Sequence, residues 1–179
     1  MDDAALPALG TSALMQVLGF LFRRAEAALD RRSARRDEAQ HLEPDVVPDV
    51  VSGDPGPLRF DESTLTPERL ERIASLLETL GVYAGHPQLI RSDDDRLRRN
   101  LAHLRAEMEI VYGRYITFQG ESRPQSGVLV VQESDEVQGR MQGLKVRRAT
   151  GEARAEVRQR TGIVRPGGEM VGGEFDELG

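Results

Sequence analysis

Two stretches in the middle of the chain decide its fold, and the first reads 66-TPERLERIASLLETLG-81. Its opening predicts a helix start, because Thr66 is a good N-cap, Pro67 suits the first helical position and Glu68 suits the first turn. Apolar residues then recur three or four positions apart, which predicts one buried face made of Leu70, Ile73, Leu77 and Leu80. We expect Gly81 to end this helix.

The second stretch, 92-SDDDRLRRNLAHLRAEMEIVYG-113, predicts another helix of the same kind. Residues 93–95 are three consecutive aspartates, which stabilise the positive end of a helix dipole, and Gly113 is a suitable helix end. Its apolar face consists of Leu97, Leu101, Leu104, Met108 and Val111. Two helices with one apolar face each and a short connection predict an antiparallel αα-hairpin over residues 66–113.

A hairpin of this size buries little apolar surface, so it needs a third helix or a second chain. The candidate is a helix predicted over residues 11–36, within the N-terminal segment 1–37. Its apolar face consists of Leu14, Leu18, Leu21, Ala25 and Ala28, and its second half, residues 23–36, carries six Arg against two acidic residues.

Three interpretations of this amphipathic N-terminal helix stay open. The first is packing against the rest of the same chain. The second is binding of a partner or of another copy, through Leu14, Leu18, Leu21 and Phe22. The third is adsorption of residues 12–36 to a membrane surface, since a basic helix with Leu and Phe on its apolar side suits an anionic bilayer.

Residues 38–65 predict an acidic, proline-rich linker. They contain 44-PDVVPDVVSGDPGP-57, with four prolines and a tandem Pro-Asp-Val-Val. Such composition favours an extended, solvated spacer.

Beyond Gly113 the apolar pattern changes to a period of two, which predicts strands. We expect strands at 114–121 and 128–132, then three or four short ones separated by glycine turns at 151, 162 and 167–168. The prediction for residues 114–179 is a small antiparallel β region punctuated by glycine. The complete chain is therefore predicted to have an α+β fold.

A basic segment, residues 140–165, lies within this β region. It carries eight basic and two acidic residues in a chain whose net charge is −6. Its arginines are candidate nucleic-acid contacts, in particular Arg147, Arg148, Arg154, Arg158 and Arg160. No aromatic residue lies between positions 119 and 174 to stack on bases, however. Pairing of the basic segment with acidic segments of this chain or of another copy is therefore the favoured interpretation.

No catalytic or cofactor-binding pattern is present in the 179 residues. The chain has no Cys, which excludes thiolate metal sites and cysteine nucleophiles, and its three His lack metal-ligand spacing. Glu107 and Glu109 are predicted to lie on a solvated helix face, as is ordinary for carboxylates among arginines. We expect no cofactor, no metal and no catalytic residue.

The chain starts with Met1, Asp2 and Asp3, which does not suit a secretory signal, and its longest apolar-rich stretch spans only residues 13–22. A cytoplasmic location is expected. The predicted function is that of a non-catalytic protein-interaction or assembly subunit, which self-associates or docks a protein partner through the N-terminal helix and the β region. The alternatives are a nucleic-acid-binding accessory protein that uses residues 140–165, and a peripheral membrane adaptor.

Overall fold

The computed structural model describes residues 6–33, 47–56, 58–137, 140–146 and 155–175. Within them it has three α-helices: α1 (Thr11–Ser33), α2 (Pro67–Gly85) and α3 (Asp95–Tyr112). Five strands follow: β1 (Arg114–Tyr115), β2 (Gly127–Val137), β3 (Arg140–Val146), β4 (Ala155–Val164) and β5 (Glu169–Phe175). The predicted α+β class is confirmed.

Helix α2 begins as predicted but ends later. The Thr66 hydroxyl oxygen accepts a hydrogen bond from the Arg69 amide at 3.3 Å, which is the expected N-cap. The prediction that Gly81 stops the helix is wrong, since α2 continues to Gly85. A glycine inside a helix costs only about 1 kcal/mol relative to alanine, which packing of the flanking turns offsets.

The end of α3 at Gly113 is confirmed, but the helix begins only at Asp95, so Asp93 lies before it and is not in the first turn. The Asp94 carboxylate accepts a hydrogen bond from the Leu97 amide at 2.9 Å, and Gly113 adopts the left-handed conformation with a φ of 57°. Its amide donates to the carbonyls of the last helical turn, which would otherwise be unsatisfied.

The apolar faces of the three helices meet in one core, and α1 of this same chain occupies the place of the third helix. The predicted faces are buried without exception: Leu14, Leu18, Leu21, Ala25 and Ala28 on α1; Leu70, Ile73, Leu77 and Leu80 on α2; Leu97, Leu101, Leu104, Met108 and Val111 on α3.

Polar contacts join α2 and α3 at both ends. Arg69 in the first turn of α2 donates to Glu107 near the end of α3 at 2.9 Å. The Tyr83 hydroxyl near the end of α2 donates to the Asp94 cap at 2.8 Å. The start of α2 therefore lies beside the end of α3, and the end of α2 beside the start of α3.

Part of the predicted linker belongs to the folded unit rather than to solvent. Val50 and Val51 are buried, and the Ser52 amide donates to the Thr117 carbonyl at 2.7 Å. The expectation of a fully solvated spacer is wrong for residues 50–52, because the second Val-Val pair, Val50 and Val51, buries its apolar side chains in the core. Residues 38–46 lie outside the described part of the chain.

The strands differ from the prediction in direction. Strand β1 pairs antiparallel with β2, as expected of a hairpin-type connection, but it covers only two residues of the predicted 114–121. Strand β2 pairs parallel with β4, and β3 parallel with β5. The prediction of an antiparallel β region is therefore wrong for these four strands, because successive strands enter different sheets instead of pairing with each other.

The glycine turns were predicted with mixed success. Gly167 lies in a turn between β4 and β5 with a φ of 88°, and the Gly168 amide donates to the Arg165 carbonyl at 2.8 Å. Gly162 lies inside β4 and forms no turn. Gly151 is outside the described residues.

Candidate functional site

Strands β2 to β5 form two stacked units, each made of two successive strands in different sheets. We call β2 with β3 the first arch, and β4 with β5 the second arch. Each position of β2 pairs with the position 27 residues later in β4, as Val128 does with Ala155. Each position of β3 pairs with the position 29 residues later in β5, as Arg140 does with Glu169. The second arch thus repeats the course of the first.

The paired positions carry similar residues, which reveals an internal repeat that the sequence analysis missed. Identical or closely similar residues pair at five positions: Val130 with Val157, Gln132 with Gln159, Ser134 with Thr161, Val137 with Val164, and Met141 with Met170. The signal in the sequence is Val-x-Gln-x-Ser/Thr followed by Met-x-Gly, once in each arch. This signal is weak in the sequence because partner positions lie 27 residues apart in β2 and β4 but 29 residues apart in β3 and β5.

Opposite charges also stand at partner positions of the two arches. Glu133 pairs with Arg160 and Lys145 with Glu174 in the strand register. Arg140 and Glu169 form an ion pair, with Nε 3.7 Å from Oε2. Exposed pairs of this kind stabilise by at most about 1 kcal/mol, but they favour one register. Three basic residues of segment 140–165 thus have acidic register partners in the same chain, and one of these pairs is an ion pair.

Strand β4 has an inner and an outer side. Val157, Gln159 and Thr161 are half-buried, whereas Arg160 and Gly162 are exposed, as the period of two requires. The side-chain amide of Gln159 donates through Nε2 to the Val171 carbonyl of β5 at 3.2 Å. This bond joins the two sheets inside the second arch.

The second arch ends both sheets. The strand order is β1-β2-β4 in one sheet and β3-β5 in the other, so no described strand pairs with the outer edge of β4. Strand β5 likewise has β3 as its sole partner among the described strands. Near this edge, Ile163 and Val164 are 55% and 45% exposed. A strand edge with no partner among the described strands, beside exposed apolar side chains, is a template for a further strand.

A buried charge cluster fixes the β region to α3. Glu109 accepts a hydrogen bond from the Ile116 amide at 2.9 Å, and Nη2 of Arg123 lies 3.0 Å from its Oε1. Its side chain is only 4% exposed, so the prediction of a solvated face is wrong for Glu109. The chain reverses after Gly113 and brings residues 116–126 over this side of α3, which spacing along one helix does not reveal.

The same loop is held by a second carboxylate. Glu121 accepts from the Phe118 amide at 2.8 Å and forms a short contact with the Arg105 guanidinium. The Arg123 Nε donates to the Tyr115 hydroxyl at 2.7 Å, which ties the loop to β1. Every carboxylate of the cluster is engaged by a guanidinium and a backbone amide, so the cluster positions strands and offers no accessible acid or base.

Burial raises the pKa of Glu109 above its usual range. Arg123, the Ile116 amide and Arg105 act in the opposite direction, because each favours the ionised carboxylate. Because burial disfavours the ionised carboxylate and these three partners favour it, the ionisation of Glu109 depends on its partners.

The residues predicted to contact partners differ in how accessible they are. Leu14, Leu18 and Leu21 are buried in the core and Phe22 is half-buried, so a partner reaches them only if α1 leaves the core. Of the candidate nucleic-acid contacts, Arg160 is exposed on β4 and Arg158 lies in the same strand. Arg147, Arg148 and Arg154 lie outside the described residues.

Within the described part of the chain, no helix is long and apolar enough to cross a membrane. The same residues contain no group of three or more His, Asp or Glu placed to hold a metal ion.

No known family model matches the chain, and comparisons with curated proteins and with solved structures gave no significant match.

Proposed function

We propose that the protein is a non-catalytic assembly subunit that self-associates through the outer edge of the second arch. The observation that carries this proposal is the position of β4 and β5 as the last strands of their sheets among the described residues. The helical hairpin 66–113, completed by α1 and joined to it through residues 38–65, is the proposed platform that holds the arches.

The length of the edge supports self-association. Strand β4 spans ten residues and contains no proline, so its outward backbone groups form a continuous row of donors and acceptors. Natural sheets usually protect such edges with short strands, prolines, bulges or a covering segment. Pairing with another strand satisfies the same groups and covers nearby apolar side chains.

Burial of α1 argues for the β region over the N-terminal helix as the contact surface. Leu14, Leu18 and Leu21 already pack in the core with α2 and α3, and their removal from the core would expose apolar surface at about 25 cal/mol per Å². Association through the arches requires no such rearrangement.

Size-exclusion chromatography with light scattering tests the proposal on the complete chain. We expect a species larger than the 19.8 kDa monomer at micromolar concentration. The double substitution Ile163→Lys with Val164→Glu leaves net charge unchanged and is expected to weaken association at least about tenfold, since charges replace exposed apolar contacts.

The control places the same charges on equally exposed apolar residues far from the arches. Val82 in α2 and Leu89 in the short turn after it are 54% and 47% exposed. The double variant Val82→Lys with Leu89→Glu is expected to associate like the unmodified chain. A monomer at all concentrations, or equal loss in both double variants, would contradict the proposal.

A further inference from the structure

We infer that the outer edge of the second arch binds the outer edge of the first arch of another copy, so that copies stack head to tail. This inference rests on the proposed function and names the surface that the second arch contacts. Within the chain, the two arches already pair along their inner edges, with β2 beside β4 and β3 beside β5. The contact between copies repeats this pairing in the same parallel register.

The outer edge of the first arch is open along most of its length. Strand β1 pairs with β2 only at Gly127 and Val128, and the Leu129 amide donates to the Gly113 carbonyl at 2.9 Å. From Val130 to Val137, no described strand pairs with this edge of β2, and the outer edge of β3 likewise has no partner among the described strands. Another copy can therefore extend the stack at the first arch as well as at the second.

The first arch offers residues that match the second arch position by position. When β4 of one copy lies beside β2 of the next, and β5 beside β3, the similar residues that pair inside the chain become partners again. These pairs are Val157 with Val130, Gln159 with Gln132, Thr161 with Ser134, Val164 with Val137, and Met170 with Met141. The first arch of a second copy thus fits the open edge in a register that the chain already uses.

Charge favours the same arrangement in both sheets. Strand β2 carries three acidic residues and no basic one, whereas two Arg and one Glu give β4 a net charge of +1. Strand β3 carries two basic residues and β5 two acidic ones. Head-to-tail stacking therefore sets strands of opposite charge side by side, and it pairs Glu169 of one copy with Arg140 of the next.

Contact between two second arches lacks these features. Strand β4 beside β4, or β5 beside β5, brings strands of like net charge together. Like charges at opposite positions destabilise a strand pair. A crosswise contact of β4 with β5 reduces this repulsion, but β5 contains no Gln, Ser or Thr to match Gln159 and Thr161.

A head-to-tail contact is heterologous, because it joins two different surfaces. Every copy that is added presents a new second arch, so the contact repeats. Such a series closes into a ring if the rotation between copies allows it, and otherwise grows as a filament. In both cases the assembly contains more than two copies.

Charge reversal at Arg140 and Glu169 tests this arrangement. Their side chains are 51% and 61% exposed and form an ion pair within the chain, so substitution leaves the core intact. The Arg140→Glu chain and the Glu169→Arg chain each place like charges in a head-to-tail contact. We expect each chain alone to associate about three- to tenfold more weakly at low ionic strength, because repulsion replaces an exposed ion pair. Light scattering over a range of concentrations measures this loss.

An equimolar mixture of the two reversed chains is the decisive sample. The like-charged pair inside each chain persists, but every head-to-tail contact between unlike chains again joins opposite charges. We expect the mixture to regain the association of the unmodified chain, with masses that rise beyond twice the 19.8 kDa monomer.

The matched controls are Arg59→Glu and Glu78→Arg, at exposed positions outside the arches. They change the net charge of the chain by the same amounts as the two reversals. Each control chain alone, and the mixture of both, is expected to associate like the unmodified chain.

The other outcomes separate the two proposals. A monomer at every concentration overturns the proposed function together with this inference. An Arg140→Glu chain that associates like the unmodified chain excludes the first arch from the contact, which overturns the head-to-tail stack and leaves self-association intact. A mixture that associates no better than its components has the same meaning. Restored association that stops at twice the monomer mass indicates exchange of second arches between two copies, and this also overturns the stack.

Discussion

The buried Glu109 on α3 and the half-buried Arg123 in the loop after β1 form an ion pair, with Nη2 of Arg123 3.0 Å and 3.2 Å from the two carboxylate oxygens. The same carboxylate accepts the Ile116 amide, and the same guanidinium lies 4.0 Å from the centre of the Tyr115 ring. The pair therefore joins the helical core to β1, the strand that pairs with the start of β2.

Replacement of Glu109 by Ala is expected to lower the free energy of unfolding by about 3–5 kcal/mol. The substitution leaves the half-buried Arg123 guanidinium and the buried Ile116 amide without this acceptor. Urea denaturation followed by circular dichroism measures the change. Glu78→Ala, the same substitution on an exposed face of α2, is the control and is expected to change stability by less than about 0.5 kcal/mol. Equal effects of the two substitutions would show that the Glu109 cluster contributes nothing.

Leu21→Ala is expected to destabilise the monomer by about 2–5 kcal/mol, because Leu21 is fully buried in the core. Thermal and chemical denaturation under conditions that keep the chain monomeric measure this effect. Met15→Ala, on the same helix at 40% exposure, serves as the comparison and should cost much less. If Leu21 serves only a partner, the Leu21→Ala monomer will be as stable as the unmodified one.

Gly113 at the end of α3 and Gly81 inside α2 are expected to respond to alanine with opposite signs. Gly113 has a φ of 57°, so Gly113→Ala should destabilise by about 1 kcal/mol or more. Gly81 lies inside α2 with no atom within 4 Å of an added side chain, so Gly81→Ala should stabilise by about 0.5–1 kcal/mol. Denaturant midpoints of the two variants decide this prediction, and a stabilising Gly113→Ala would refute the left-handed cap.

The free energy of unfolding is expected to fall at acidic pH as Asp94 becomes protonated. The Leu97 amide hydrogen bond lowers the pKa of Asp94, burial opposes the shift, and the Tyr83 hydroxyl lowers the pKa further. A folded-state pKa below the unfolded one means that this contribution is present above the unfolded pKa and is lost as pH falls through the folded value.

The unfolding free energy measured between about pH 6 and pH 2 tests this dependence, since an unperturbed Asp titrates near pH 4. Asp94→Asn keeps a good N-cap without a titrating group, so its stability should change less over the same range. An identical pH dependence of both proteins would contradict the assignment to Asp94.

Local sequence determined the helices and their caps. Thr66 caps α2 and Gly113 ends α3 as predicted, and α3 begins within the predicted acidic stretch, because each of these features depends on residues within one helical turn. The apolar faces of all three helices were predicted residue by residue for the same reason. Gly81 shows the limit of such reasoning, since packing of the following turn overrides one unfavourable residue.

The candidate site depended on contacts between distant residues. Glu109 lies on a helix among arginines, and only the return of residues 116–126 over α3 makes it the centre of a buried cluster. Val50 and Val51 similarly become core residues because the loop near Phe118 pairs with them.

The alternating pattern after Gly113 established that the segment forms strands, because a period of two is local information. It did not establish which strands pair or in which direction, because register partners such as Gln132 and Gln159 lie 27 positions apart in the sequence. Parallel and antiparallel strands share the same alternation of faces, so only the tertiary structure distinguished two stacked arches from an antiparallel sheet.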